Sequence, residues 1–200
     1  MRKTSYILLV YALLAVSISG CSRKQNSAQQ QPSPGQQLPS GNVLYTAPTG
    51  WVEEEPSSQM RSAQFRWPGA EGEEDAVLAV FFFPGTGGSV EANLSRWYRQ
   101  FKQPDGKLTH ELAQTKKATI DDIPVTVAYV TGTFLQSQAN MMMGSGAEEE
   151  LPDYAMLAAI AETSAGPWFF KATGPQKTID HWRTSFDDFV KTFQMQRVSS

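Results

Sequence analysis

Two histidines, one cysteine and several acidic runs are the residues of this 200-residue chain with chemistry to offer. His110 stands beside Glu111, and His181 has Asp180 and Arg183 as neighbours. A histidine held between a carboxylate and a hydroxyl is the core of a hydrolytic site: the imidazole moves the nucleophile's proton and the acid orients the ring. The sequence has no Gly-x-Ser-x-Gly elbow to present such a nucleophile, and surface or edge positions account for both histidines. Metal-ligand spacings are missing too, with no His-Glu-x-x-His, no cysteine pair and no EF-hand loop. Met141-Met142-Met143 offers thioethers, soft ligands suited to Cu(I). Three adjacent side chains cannot all point at one centre, and the run serves equally as a flexible apolar contact. Glu53-Glu54-Glu55 and Glu148-Glu149-Glu150 are runs that attract calcium, but charge runs are usually solvated faces. Glu71 to Asp75 reads as an exposed hairpin tip. Gly85-Thr86-Gly87-Gly88 follows a predicted strand and opens a predicted helix, where backbone N–H groups favour anions. It lacks the lysine of a phosphate loop and the full dinucleotide spacing, so it reads as turn and cap glycines. No catalytic residue, metal ligand or cofactor is assigned.

Cys21 is the exception. It is the single cysteine, so it has no internal disulfide partner, and no histidine lies near it in sequence to activate it as a thiolate. What precedes it explains it. Arg2 and Lys3 give a positive n-region, and Tyr6 to Ile18 is apolar apart from Ser17. That run is shorter than the roughly 20 residues of a membrane-spanning helix, and its flanks are those of a secretory signal. Ile18-Ser19-Gly20-Cys21 resembles the lipobox of bacterial lipoproteins. The resemblance implies a signal peptide over 1–20, cleavage before Cys21, diacylglycerol on its sulfur and acylation of the new amine. More than one acyl chain anchors stably where a single chain does not, at about 0.8 kcal/mol per buried methylene. Ser22, rather than Asp, follows the cysteine. In a Gram-negative cell the resemblance then implies the outer membrane, facing the periplasm.

The stretch 21–42 reads as a lipidated tether rich in Gln, Ser, Pro and Gly, too poor in apolar surface to offset its conformational entropy. As a flexible coil it would reach about 25 Å. Arg23 and Lys24 either touch anionic lipid headgroups or are simply solvated. Residues 43–196 have the length of one globular domain, with 197–200 as a tail. The whole chain carries −3, and losing Arg2 and Lys3 makes the mature form two units more negative. Nucleic acid wants clustered Lys and Arg and is excluded as a partner class.

Period-2 and period-3.6 patterns supply the elements. Short strands are expected at Val43 to Ala47 and Trp51 to Glu54 around Pro48-Thr49-Gly50. Met60 to Trp67 alternates, with Ala63, Phe65 and Trp67 inward and Ser62, Gln64 and Arg66 wet. Ala76 to Phe83 reads as a central strand covered on both faces. Ser89 caps a helix whose stripe is Val90, Leu94, Trp97 and Phe101. Strands follow at Lys107 to Ala113, Lys117 to Ile120 and Ile123 to Phe134, with a tight turn at Asp121-Asp122. Gln136 to Asp153 is expected as a long polar loop. Tyr154 to Glu162 and Trp168 to Ala172 form a hairpin. A closing helix runs from Pro175 to Phe193 on a stripe of Ile179, Trp182, Phe186, Phe189, Val190 and Phe193. Runs of antiparallel strands with two principal helices give an α+β layered domain.

From Tyr45 to Phe193 the layout resembles the Mog1/PsbP-like fold: Pro48-Thr49-Gly50-Trp51 opens a hairpin, a helix follows the early strands, a meander comes next, and a long amphipathic helix closes. The resemblance implies a binding or assembly module. The sequence therefore leads to an envelope lipoprotein held by membrane lipid through Cys21, non-catalytic, with a protein partner of unknown identity. The alternative is an envelope hydrolase built on His110 or His181 with nearby carboxylates. It requires a concave site in which a histidine reaches both an acid and a nucleophile.

Overall fold

Alternation in three long apolar segments dictates the architecture, because each must bury both of its faces. The computed structural model describes residues 41–85, 87–137 and 148–196. Cys21, Thr86, Met141 to Met143 and residues 197–200 lie outside them, as does the tether up to residue 40. The elements are β1 (Val43–Leu44), β2 (Val52–Glu54), β3 (Ala63–Trp67), β4 (Ala76–Phe82), α1 (Val90–Tyr98), β5 (Phe101–Lys102) and α2 (Thr109–Leu112). They continue with β6 (Gln114–Ile120), β7 (Ile123–Ser137), β8 (Glu148–Thr163), β9 (Gly166–Pro175), α3 (Gln176–Lys191) and β10 (Gln194–Met195). An antiparallel sheet runs β2-β3-β4-β9-β8-β7-β5, with β6 also paired to β7. The domain is α+β, with α3 on one face of the sheet and α1 on the other.

The period of two sorts side chains between these helices. On β8, Ala155, Leu157, Ala159 and Ala161 face α3, while Met156, Ala158 and Ile160 face α1. On β9, Trp168, Phe170 and Ala172 face α3 and Phe169 faces α1. Ile179, Phe186, Phe189 and Val190 of α3 are buried against the first set. Trp51 lies 4.7 Å from Trp67 and 4.9 Å from Phe189, and Phe170 lies 4.6 Å from Phe193 between ring centroids. These spacings give edge and offset contacts that add to plain burial.

Two glycines are required by geometry. Gly50 has φ +95° and lies under Trp182, where a Cβ would come within 2.7 Å of the indole. Gly132 has φ +148° at the register shift between β7 and β8, where β5 joins the sheet; a Cβ there would meet the Lys102 carbonyl at 2.6 Å.

Several expectations are corrected. The first strand is only Val43–Leu44 and pairs with β10, not with its neighbour across Pro48-Thr49-Gly50. Asn42 Nδ2 donates to Gln196 and the Gln196 N–H to the Asn42 carbonyl, so the two ends of the domain are tied together. Gln64 is buried rather than wet, accepting from the Ser57 N–H at 3.1 Å and from Arg61. α1 ends at Tyr98, and Phe101 opens β5 while still joining the α1 cluster. The expected strand Lys107 to Ala113 is instead a loop and the four-residue α2, because the Thr109 hydroxyl donates to the Phe101 carbonyl at 2.8 Å and fixes a turn. Much of the expected loop Gln136 to Asp153 is strand: Leu135, Gln136 and Ser137 pair with Glu150, Glu149 and Glu148. The Asp121-Asp122 turn is present, with φ +45° and +64°, the conformation of a tight hairpin turn.

Candidate functional site

The two histidines stand apart. His110 is exposed on α2 and His181 is exposed on α3, its ring set edge-on to Trp182 at 4.9 Å. Neither has a hydrogen-bond or ion-pair partner among the described residues. His110 shares a cleft of about 690 Å³ with Glu91, Ser95, Tyr98, Arg99 and Leu108. No hydrogen bond joins it there to an acid or a hydroxyl. Beside His181, Asp180 accepts from the Tyr129 hydroxyl at 2.6 Å, and Arg183 lies over the Tyr129 ring at 4.1 Å. Burial first, and the Asp180 hydrogen bond second, hold the Tyr129 phenol well above its ordinary range. That cluster locks α3 to the sheet.

Acidic runs are distributed rather than gathered. Glu54 pairs with Arg66 at 2.8 Å, and Asp75 pairs with the same guanidinium at 2.9 Å. The Gly69 N–H, and then Arg66, hold Asp75 below the usual carboxylate range. The tip from Glu71 to Asp75 is mostly exposed but is tied down by Lys177 on Glu73 and by the Thr178 hydroxyl on the Glu74 carbonyl. Lys102 pairs with Glu150. No group of three or more His, Cys, Asp or Glu that could hold a metal ion occurs among the described residues. The glycines before α1 serve the turn and cap: Ser89 Oγ accepts from the Ala92 N–H at 3.2 Å, and Asn93 Nδ2 donates to the Gly87 and Ser89 carbonyls.

A second cleft was not foreseen. On the α1 face of the sheet, Phe81, Phe83, Trp97 and Phe169 wall a space of about 480 Å³, with Met60 exposed at its lip. Phe81 and Phe83 are stacked at 6.2 Å, and Trp97 meets Phe169 edge-on at 5.8 Å. Lys171 of β9 and Arg96 of α1 also line it. The alternation that turns Phe170 and Ala172 towards α3 turns Lys171 towards α1. Its ammonium donates to Gln100 Oε1 at 2.5 Å and lies 5.8 Å from the Trp97 ring. Burial, then repulsion from Arg96 and Arg61, push its pKa down to about 8. The signal lay in the sequence as a lone charge inside the apolar run Trp168-Phe169-Phe170-Lys171-Ala172.

Among the described residues no helix is long and apolar enough to cross a membrane. No protein-family model matches the sequence, and comparison with curated proteins finds no match. Among solved structures the chain is similar to the PsbP protein CyanoP of Synechocystis sp. PCC 6803, at 12% identity and TM-score 0.45, covering 84% of this chain and 99% of that one. It is similar to LpqN of Mycobacterium tuberculosis, described as involved in cell envelope biogenesis, at 10% identity and TM-score 0.46, covering 81% and 88%. A protein of unknown function from Pseudomonas aeruginosa matches at 10% identity and TM-score 0.45, covering 74% and 99%.

Proposed function

We propose that the chain is a lipid-anchored module of the bacterial cell envelope, of Mog1/PsbP-like build, that binds or assembles with a protein partner and catalyses nothing. The observation that carries this reading is the character of its clefts. The cleft between α1 and the sheet is walled by apolar and cationic side chains, while the two histidines sit on different helices at exposed positions, neither hydrogen-bonded to an acid or a hydroxyl among the described residues. A hydrolase would need one histidine within reach of both an acid and a nucleophile, and neither His110 nor His181 has that pair. Cys21 supplies the anchor, and 21–42 the reach from the membrane surface to a domain over 43–196. With Ser22 next in line, the outer membrane facing the periplasm is the destination in a Gram-negative cell.

The anchor is tested by Cys21→Ser. The variant should remain unprocessed or be released into the soluble fraction, whereas the parent stays with the membrane and yields its partner on affinity capture from solubilised envelope. Membrane retention of a cleaved Cys21→Ser chain would falsify the lipid tether.

A further inference from the structure

The cleft beside α1 has a feature that a merely packed groove lacks. Its walls are largely aromatic, and its polar lining consists of two cations, Lys171 and Arg96, and two neutral amides, Asn93 and Gln100, with no carboxylate. Arg96 is held by the Asn93 side-chain oxygen at 2.8 Å, a neutral partner. Lys171 is held by Gln100, and nearby Arg61 by Gln64, again neutral amides. The charges that act on Lys171 come from Arg96 on α1 and Arg61 ahead of β3, both of its own sign. Several cations elsewhere are paired with acids, Arg66 with Glu54, Lys177 with Glu73 and Lys191 with Asp188, while Arg183 is held by Gln114. A charge taken out of water without an opposite charge is costly. Lys171, drawn into the aromatic cleft with the exposed Arg96 beside it and no carboxylate in the lining, therefore leaves an electrostatic need that an anion would meet. The space of about 480 Å³ falls in the range of small-molecule sites, which combine apolar walls with a few placed polar groups.

We propose that this cleft binds a small organic anion: a carboxylate whose charged end meets Lys171 and Arg96 and whose flat apolar body lies against Phe81, Phe83, Trp97 and Phe169. This is a contact additional to a protein partner, and it rests on the reading of the domain as a binder. The anion supplies the counter-charge to Lys171, so binding draws its pKa back towards the ordinary lysine value and takes up protons near pH 8.

The test uses the full chain in phosphatidylcholine nanodiscs, with empty discs as the blank, titrated calorimetrically with 1-naphthoate and its neutral analogue 1-naphthamide. Naphthoate should bind saturably, and naphthamide about tenfold more weakly, the loss expected when a charged hydrogen-bonding partner is removed. Lys171→Met keeps the length and loses the charge. It should bring naphthoate down to the level of naphthamide and leave naphthamide unchanged; Arg96→Gln should do so in part. Equal affinity for the two ligands, or naphthoate binding untouched by Lys171→Met, overturns the proposal. Absence of saturable naphthoate binding overturns it as well but leaves the anchored-module reading standing. Recovery of chemically altered ligand would instead remove that reading, and the proposal with it.

Discussion

The two faces of the sheet are covered to different degrees. On one side lies α3, 16 residues and so about 24 Å long; on the other lies α1, 9 residues and about 14 Å. Under α3 the core is apolar apart from buried Thr178 and the Tyr129–Asp180 hydrogen bond, and the indole N–H groups of Trp51, Trp67 and Trp168 are buried without a partner among the described residues. Orphan donors cost free energy, and here the aromatic packing around them outweighs that cost. The shorter α1 shields β7, β8 and part of β9 but not β3 and the outer part of β4. There the surface turns polar, with the Arg61-Gln64-Glu54-Arg66 network and then Lys171 at the helix edge. The longer helix covers its face of the sheet, and the shorter one leaves the cleft beside Lys171 open.

The largest effects should fall on the α3 face. Phe186 and Phe189 are fully buried, so Phe186→Ala or Phe189→Ala should cost roughly 3–5 kcal/mol. That is a large share of the ~5–15 kcal/mol a domain holds. Phe81 on the other face is only partly buried, and Phe81→Ala should cost about 1 kcal/mol, as partial burial forfeits less transfer energy. Urea unfolding of the three variants decides it, and equal losses at Phe81 and Phe186 would erase the distinction between the faces.

The faces should also answer alkali with opposite signs. Lys171, on the α1 side, is lowered from 10.5 to about 8 by burial and by the neighbouring guanidinium groups. Between those values the unfolded chain holds a proton that the folded one has released, so stability rises with pH. Tyr45, packed into the α3 side, is raised from 10.0 to about 12 by burial and by Glu53. Above its unfolded value the tyrosine ionises only on unfolding, so stability falls from about pH 10 to pH 12. The melting temperature should therefore climb from pH 8, crest near pH 10 and then drop. The gain in stability behind the climb should amount to about 1–2 kcal/mol once partial exposure of the lysine is allowed for. Lys171→Met should abolish the climb and keep the fall. A profile that declines monotonically from pH 8 would count against the buried charge.

How much of this was legible in the sequence follows the same division. The α3 stripe, the central strand at Ala76 and the closing hairpin could be read because burial imposes a clean period. On the α1 side the helix, its Ser89 cap and its Val90, Leu94 and Trp97 stripe could be read as well, but the sheet face and loops beside it could not. Gln64 looks like a wet residue, since a polar side chain satisfied by Ser57, Arg61 and Glu54 leaves no mark in a hydropathy pattern. Polar residues at 136–137 and 148–150 hid the outer end of the β7–β8 hairpin, where backbone ladder bonds persist although the side chains of Gln136, Ser137, Glu149 and Glu150 are exposed. Leu108 and Leu112 read as strand residues, yet both are exposed and flank a single turn of helix. The histidines were visible as residue types, but only their positions tell that, among the described residues, neither is hydrogen-bonded to an acid or a hydroxyl. Lys171 was present in the sequence as a charge in an apolar run, and its meaning came from which helix its face meets.

The smallest effect tests the phase of α3. Asp188 is exposed and pairs with Lys191 at 2.8 Å, three residues on, with 64% and 70% of the two side chains open to water. Such a pair is screened and must order two flexible side chains, which leaves it worth only a few tenths of a kcal/mol. Asp188 also sits near the C-terminal end of the helix, where a negative charge meets the negative end of the dipole. The two contributions oppose each other, so Asp188→Ala should shift stability by less than about 0.5 kcal/mol in either direction. For a domain of this size that is under about 2 °C in melting temperature. Raising the salt concentration should shrink the difference further, because both contributions are exposed electrostatics. A loss comparable to that of Phe189→Ala, only one position further along, would mean that the helix presents the opposite face to the sheet.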